Sequence, residues 1–202
     1  MNEAVTRHTL SVLVDNEAGV LSQVSRLFTR KGYNIESLAV GTTDEPDVSR
    51  ITIEVMADDG QALQLCNQLR KLFPVHSVKE LTPSHSIRRE LVLIKVAAAS
   101  RDVRNEIIQI ANIFRASIID VAKGSLTIAL IGDETKAMAI QNLLQEFGIL
   151  ELARTGMVAL ERGRYTIDED TKEKGEFDYG ICCITFFTGN YKGIVRERDT
   201  MF

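Results

Sequence analysis

The 202-residue sequence predicts an α+β protein built of two ferredoxin-like βαββαβ units. Two observations carry this. Short apolar runs with a period of two alternate with longer runs of helical period, in the order β, α, β, β, α, β. The same order then begins again roughly 80 residues further on.

The first unit opens with His8 to Asp15, a strand carrying Leu10, Val12 and Val14 on one face and Leu13 on the other. From Gly19 to Lys31, Val20, Leu21, Val24, Leu27 and Phe28 form one helical stripe, and Gly32 ends the helix. Asn34 to Thr43 and Val48 to Met56 are β-prone runs joined by the hairpin residues Asp44-Glu45-Pro46-Asp47. A second helix starts at Asp59 or Gly60 and places Leu63, Leu65, Leu69 and Leu72 before a stop at Pro74. Val75 to Leu81 closes the unit as a strand.

The second unit has strand Glu90 to Ala97, helix Asp102 to Phe114, and strands Ser117 to Val121 and Ser125 to Ile131. Helix Thr135 to Phe147 and a final strand, Ile149 to Leu160, complete it. The expected domains are 1–82 and 89–163, with a linker at 83–88 and an extension at 164–202. Seven of the twelve aromatic residues lie in that extension, which fits neither repeat. A partner-docking segment, a disordered end and sequence foreign to the domain are all open readings of it.

Composition narrows the function. A formal net charge of -4 disfavours nucleic acid and anionic membranes, which reward basic surfaces. The three cysteines, Cys66, Cys182 and Cys183, form no disulfide framework, and the N-terminal residues have no apolar core of a signal peptide. No run approaches the ~20 apolar residues that span a bilayer, so a cytoplasmic protein is expected. The histidines, His8, His76 and His85, lie at edges or in the linker without a nucleophile beside them, and are expected to be exposed or half-buried. Metal-ligand spacing and phosphate-binding glycine loops are absent from the sequence. RNA recognition on a split βαβ sheet needs sheet aromatics, whereas Phe28, Tyr33 and Phe73 fall on helices or at their ends.

The stretch DNEAG, Asp15 to Gly19, joins the first strand to the first helix. It has two readings. One is ordinary turn chemistry. The other is a carboxylate seat: a helix start presents unpaired N–H groups and the positive end of the helix dipole, and Gly19 lets a ligand approach. Asn16 would then contact either pole of an amino acid, and Asp15 would face its ammonium. The corresponding loop of the second unit, Ala97 to Asp102, has neither Asn nor Gly, so a pocket of this kind belongs to the first unit alone.

Several separated blocks then agree in order with one family. Leu10-Ser11-Val12-Leu13-Val14, Asn16-Glu17-Ala18-Gly19-Val20-Leu21-Ser22, Gly32-Tyr33-Asn34-Ile35-Glu36-Ser37-Leu38 and Ser49-Arg50-Ile51-Thr52-Ile53 closely resemble the regulatory (small) subunit of acetohydroxyacid synthase, also called acetolactate synthase. The likeness continues through Arg89-Glu90-Leu91, Ile113-Phe114-Arg115-Ala116, Ile118-Ile119-Asp120-Val121 and Ala153-Arg154-Thr155-Gly156 to Arg162-Gly163.

The resemblance implies a non-catalytic protein with an N-terminal ACT domain and a C-terminal domain of related topology. Such a subunit binds the catalytic large subunit, raises its activity and confers feedback inhibition by valine or another branched-chain amino acid. Thiamine diphosphate, magnesium and FAD are expected on the large subunit and none of them on this chain. Family effector residues carry over to Asn16, Gly19, Asn34 and Ile35, in a homodimer through ACT domains that takes the loop from one chain and Asn34 and Ile35 from the other. Val14 and Leu21 are added as candidates for shaping the aliphatic pocket, beside Asp15. An ACT-domain amino-acid sensor acting on a different enzyme or on transcription is the alternative, although no helix-turn-helix or basic region accompanies the repeats.

Overall fold

The computed structural model describes residues 4–167. In the first unit, β1 (Thr6–Asp15) lies between β3 (Val48–Ala57) and β4 (Val75–Glu80), and β2 (Ile35–Thr42) pairs outside β3, giving the antiparallel order β2-β3-β1-β4. Two helices, α1 (Val20–Lys31) and α2 (Asp59–Leu69), cover one face. Leu10, Val12, Val14, Ile51, Ile53 and Val55 of the sheet meet Val24, Leu27, Phe28, Leu65 and Leu69 of the helices in a closed core.

Two leucines expected inside lie outside. Leu21 is 41% exposed, because a step of about 100° per residue turns it to the edge of the stripe set by Val20, Val24, Leu27 and Phe28. Leu63 is 59% exposed, since α2 buries Ala62, Leu65, Cys66 and Leu69 at i, i+3, i+4 and i+7. The start of α2 is fixed by a capping box, in which Asp58 accepts from the Gln61 N–H at 2.7 Å and Gln61 accepts from the Asp58 N–H at 3.2 Å. His8, expected at an edge and exposed or half-buried, is buried instead. Its Nδ1 lies 2.6 Å from a Glu80 carboxylate oxygen and its Nε2 3.1 Å from the Ala57 carbonyl.

The second unit repeats the plan. β5 (Ser86–Ala97), α3 (Arg101–Ile113), β6 (Ser117–Val121), β7 (Ser125–Gly132), α4 (Glu134–Gln145) and β8 (Ile149–Arg154) form the order β6-β7-β5-β8 with a separate core around Ile94, Ile107, Ile128 and Ile140. Residues 83–88, expected as a linker, form a short 3-10 turn at Pro83–His85 and then the start of β5. The last strand, expected unbroken from Ile149 to Leu160, is interrupted. Gly156 adopts φ 82°, and β9 (Val158–Glu161) leaves β8's path to pair with Ser86–Arg89 at the beginning of β5.

That interruption brings the two units together. The helix-free face of the first sheet carries Thr9, Ser11, Thr52 and Glu54, all buried. β9 lies against β1, with Met157, Ala159 and Ile167 buried there too. Lys79 on β4 donates to a Glu161 carboxylate oxygen at 2.7 Å, and the Ser77 hydroxyl donates to the Ile167 carbonyl at 2.9 Å. Arg7 of β1 pairs with Glu134 at the start of α4. Most of the extension expected at 164–202, including Cys182 and Cys183, lies outside the described residues.

Two truncations separate the core from its surroundings. Phe28→Ala is expected to destabilise the protein by about 3–5 kcal/mol and Leu63→Ala by under about 0.5 kcal/mol, read from urea unfolding midpoints.

Candidate functional site

The loop after β1 is held where three chain segments meet: the loop itself, the β2–β3 hairpin and residues 74–76. The Asp15 N–H donates to the Pro74 carbonyl at 2.9 Å and the Asn16 N–H to the Asp47 carbonyl at 2.8 Å. The Asn16 side chain ties the loop to the β2–β3 hairpin, since Nδ2 donates to the Pro46 carbonyl at 2.9 Å and Oδ1 accepts from the Ser49 hydroxyl at 3.0 Å. One amide hydrogen and one acceptor position of Asn16 stay available for a ligand. An Asp15 carboxylate oxygen is 2.7 Å from His76 Nε2, so its first partner is that imidazole.

Gly19 sits at the N-cap of α1 with φ 91°, a left-handed conformation that favours glycine. It offers no side-chain oxygen to the helix, and the first turn holds no acidic residue. The positive end of the α1 dipole is therefore left without a counter-charge from its own first turn, in contrast to α2, where Asp58 and Asp59 supply one. Beside it lies a cleft of about 530 Å³ lined by Gly19, Ser22, Gln23, Arg26, Arg30 and Leu72. An anion placed there meets a helix start and two guanidinium groups.

The other candidates stand elsewhere. Val14 is enclosed in the core beneath the loop, and Leu21 lies partly exposed on the first turn of α1. Asn34 donates from Nδ2 to a Glu36 carboxylate oxygen at 2.8 Å, while Ile35 packs half-buried on the core. Strand register measures the separation. Asp15 is level with Val48 on β3 and Ile35 with Val55, seven positions away, or about 24 Å along the strands. The structure thus gathers Asp15, Asn16 and Gly19 at one end of the sheet and puts Asn34 and Ile35 at the other. Pro46, Ser49 and His76 escaped sequence reasoning, because hairpin and strand patterns do not show which loop they touch.

A second cleft, of about 410 Å³, opens at the junction of the two units, between Arg7, Glu36, Glu54, Glu90 and Arg154. Burial pushes the Glu54 carboxyl above the ordinary carboxylate range, against the pull of Arg7 at 3.8 Å. Among the described residues no group of three or more His, Cys, Asp or Glu is arranged to hold a metal, and no helix is long and apolar enough to cross a membrane.

Comparison with known proteins places the chain in a family. Residues 10–77 match the family model of the AHAS small subunit-like ACT domain, and residues 89–163 that of the small subunit of acetolactate synthase. The probable acetolactate synthase small subunit of Archaeoglobus fulgidus is 50% identical over 157 residues, 78% of this chain and 98% of that protein. The chain belongs to the acetolactate synthase small-subunit family. The small subunit of Mycobacterium bovis is 49% identical over 156 residues, 77% of this chain and 92% of that protein. The crystal structure of the Thermotoga maritima small subunit superposes with a TM-score of 0.74 at 38% identity, over 79% of this chain and 99% of that one. As an acetolactate synthase small subunit, the chain is the regulatory component of an enzyme of branched-chain amino acid biosynthesis whose catalysis resides in the large subunit.

The raised Glu54 carboxyl gives a pH test. Its contribution to stability is complete below the ordinary glutamate value of about 4.3 and is lost as pH rises through the higher folded value. Glu54→Gln, which cannot ionise, is expected to gain stability relative to the parent protein between pH 4 and pH 8. Urea midpoints measured across that range check it.

Proposed function

We propose that this small subunit binds a branched-chain amino acid between two ACT domains and thereby imposes feedback inhibition on the large subunit that it activates. The observation that carries the reading is the placement of the two half-sites at opposite ends of one sheet. Asp15, Asn16 and Gly19 are about 24 Å from Ile35 along the strands, too far for one amino acid to bridge within a chain. β2 is an edge strand. Two copies paired along that edge by a two-fold axis normal to the sheet have their strand directions reversed, and each loop then faces the partner's Asn34 end.

In that arrangement the effector carboxylate lies against the uncapped start of α1, with the spare amide hydrogen of Asn16 beside it. Asn34 serves the head group, and Ile35 and Leu21 meet the aliphatic side chain, with Val14 supporting the loop from the core. Valine is the first candidate, with leucine and isoleucine to be compared. The effector acts by binding one arrangement of the dimer more tightly than another. Thiamine diphosphate, magnesium and FAD belong on the large subunit, and the complex works in the cytoplasm.

Calorimetric titration of valine, leucine and isoleucine into the isolated subunit tests the site. Saturable binding of at least one is expected, weakened by tenfold or more in Asn34→Ala, which corresponds to a loss of about 1.4 kcal/mol. Asn16→Ala is expected to act in the same direction. Unchanged binding in both variants would remove the assignment. Reconstitution with a large subunit, with and without the same amino acids, then reads activation and inhibition.

A further inference from the structure

β2 belongs to two structures at once. Its first residue, Ile35, and Asn34 before it form the second half of the proposed effector site. Ser37 follows closely, and its Oγ accepts a 2.8 Å hydrogen bond from the Met157 N–H, in the segment that joins β8 to β9. Gly156 presses on the same stretch. A Cβ at that position would stand 2.9 Å from the Leu38 carbonyl oxygen and 3.0 Å from Ser37 Oγ, and its φ of 82° also favours glycine.

The segment is equally fixed on its other side. The Thr155 N–H donates to the Leu91 carbonyl at 3.1 Å, and the Leu91 N–H donates to Thr155 Oγ1 at 3.1 Å. The guanidinium of Arg154 forks onto the buried carboxylate of Glu90, with Nε donating at 2.9 Å. Two pairs of bonds therefore tie Arg154 and Thr155, directly before Gly156, to β5 of the second sheet. β2, in contrast, is a sheet edge whose ladder with β3 shifts register between Ile35 and Ser37. A bulge of this kind leaves one residue unpaired, here Glu36, between the effector half-site and the contact with Gly156. It is the place where β2 can change its path without breaking the rest of its ladder.

We propose that the contact of Ser37 and Leu38 with Gly156 and Met157 transmits effector occupancy from the Asn34–Ile35 end of β2 to the second domain. This inference rests on the effector reading above. Ser37 and Gly156 touch neither the effector nor the large subunit's chemistry in this scheme. They are positioning residues, and their loss uncouples binding from inhibition.

The test uses the full-length subunit reconstituted with its large subunit, comparing the parent with Ser37→Ala, Ser37→Thr and Gly156→Ala. Whichever of valine, leucine and isoleucine binds the parent most tightly serves as probe. Ser37→Ala is expected to bind the probe within about threefold of the parent and to activate within about twofold. The probe concentration for half-inhibition should rise by about tenfold or more, within the usual range of coupling between sites. Ser37→Thr, which keeps a hydroxyl acceptor, is expected to restore inhibition. Gly156→Ala is expected to repeat the Ser37→Ala result, and the serine variants decide the matter if it does not fold. Amide exchange at Met157 should change on probe binding in the parent and not in Ser37→Ala. Normal inhibition of Ser37→Ala would overturn the coupling and leave the effector site standing. Loss of probe binding in Ser37→Ala would also overturn it, by making Ser37 part of the site. Absence of binding of all three amino acids to the parent would overturn the effector reading and the coupling with it.

Discussion

The helix-free face of the first sheet is polar, yet it is hidden from water, and the rest of the structure depends on how that is achieved. Thr9, Ser11, Thr52 and Glu54 are as buried as the apolar residues on the opposite face. Each polar group left without a partner there would cost roughly 1–3 kcal/mol. The Thr9 hydroxyl donates to Glu54, Arg50 donates to the Ser11 hydroxyl, and Arg7 stands beside Glu54. Over this layer lie Met157, Ala159 and Ile167. Burying a methionine or an isoleucine contributes about 1.5–3 kcal/mol. The favourable and unfavourable amounts are of the same size, so the bonds that satisfy Thr9, Ser11 and Glu54 matter to the junction as much as its apolar area.

Charge is arranged to serve the same junction. Arg7 lies between two carboxylates, Glu54 from its own sheet and Glu134 from α4 of the second unit. Arg154 satisfies the buried Glu90 within the second unit, and Lys79 reaches Glu161 across the boundary. These pairs are partly or largely shielded from water and are screened less by salt than exposed pairs such as Lys95 with Glu151. A regulatory protein gains from joints of this type, which are specific in geometry and modest in net energy.

The order of elements was legible in the sequence because it rests on local signals. Alternation in β1, the stripe on α1, the stop at Gly32 and the hairpin residues 44–47 each act within a few positions. Local pattern and structure part where a long-range contact or a small angular step decides the outcome. Leu21 and Leu63 lie just off the buried arcs of their helices. The break in the last strand falls at Gly156, where the backbone of Leu38 stands close, a contact that no window of sequence reveals. His8 could not be seen as buried before β1 was known to begin at Thr6 and to lie between Ala57 and Glu80. For the candidate site, the residue types in the loop were readable and their partners were not. Asn16 bonds to Pro46 and Ser49 only because the β2–β3 hairpin folds back against the end of β1.

The separation of Asn16 from Asn34 along one sheet has a genetic reading as well as a structural one. Under the proposed pairing, each of two sites takes its loop from one chain and its Asn34 from the other. Two defective subunits, one altered at Asn16 and the other at Asn34, would then complement when mixed. In the hybrid pair both lesions fall in the same site, and the second site is assembled entirely from unaltered halves.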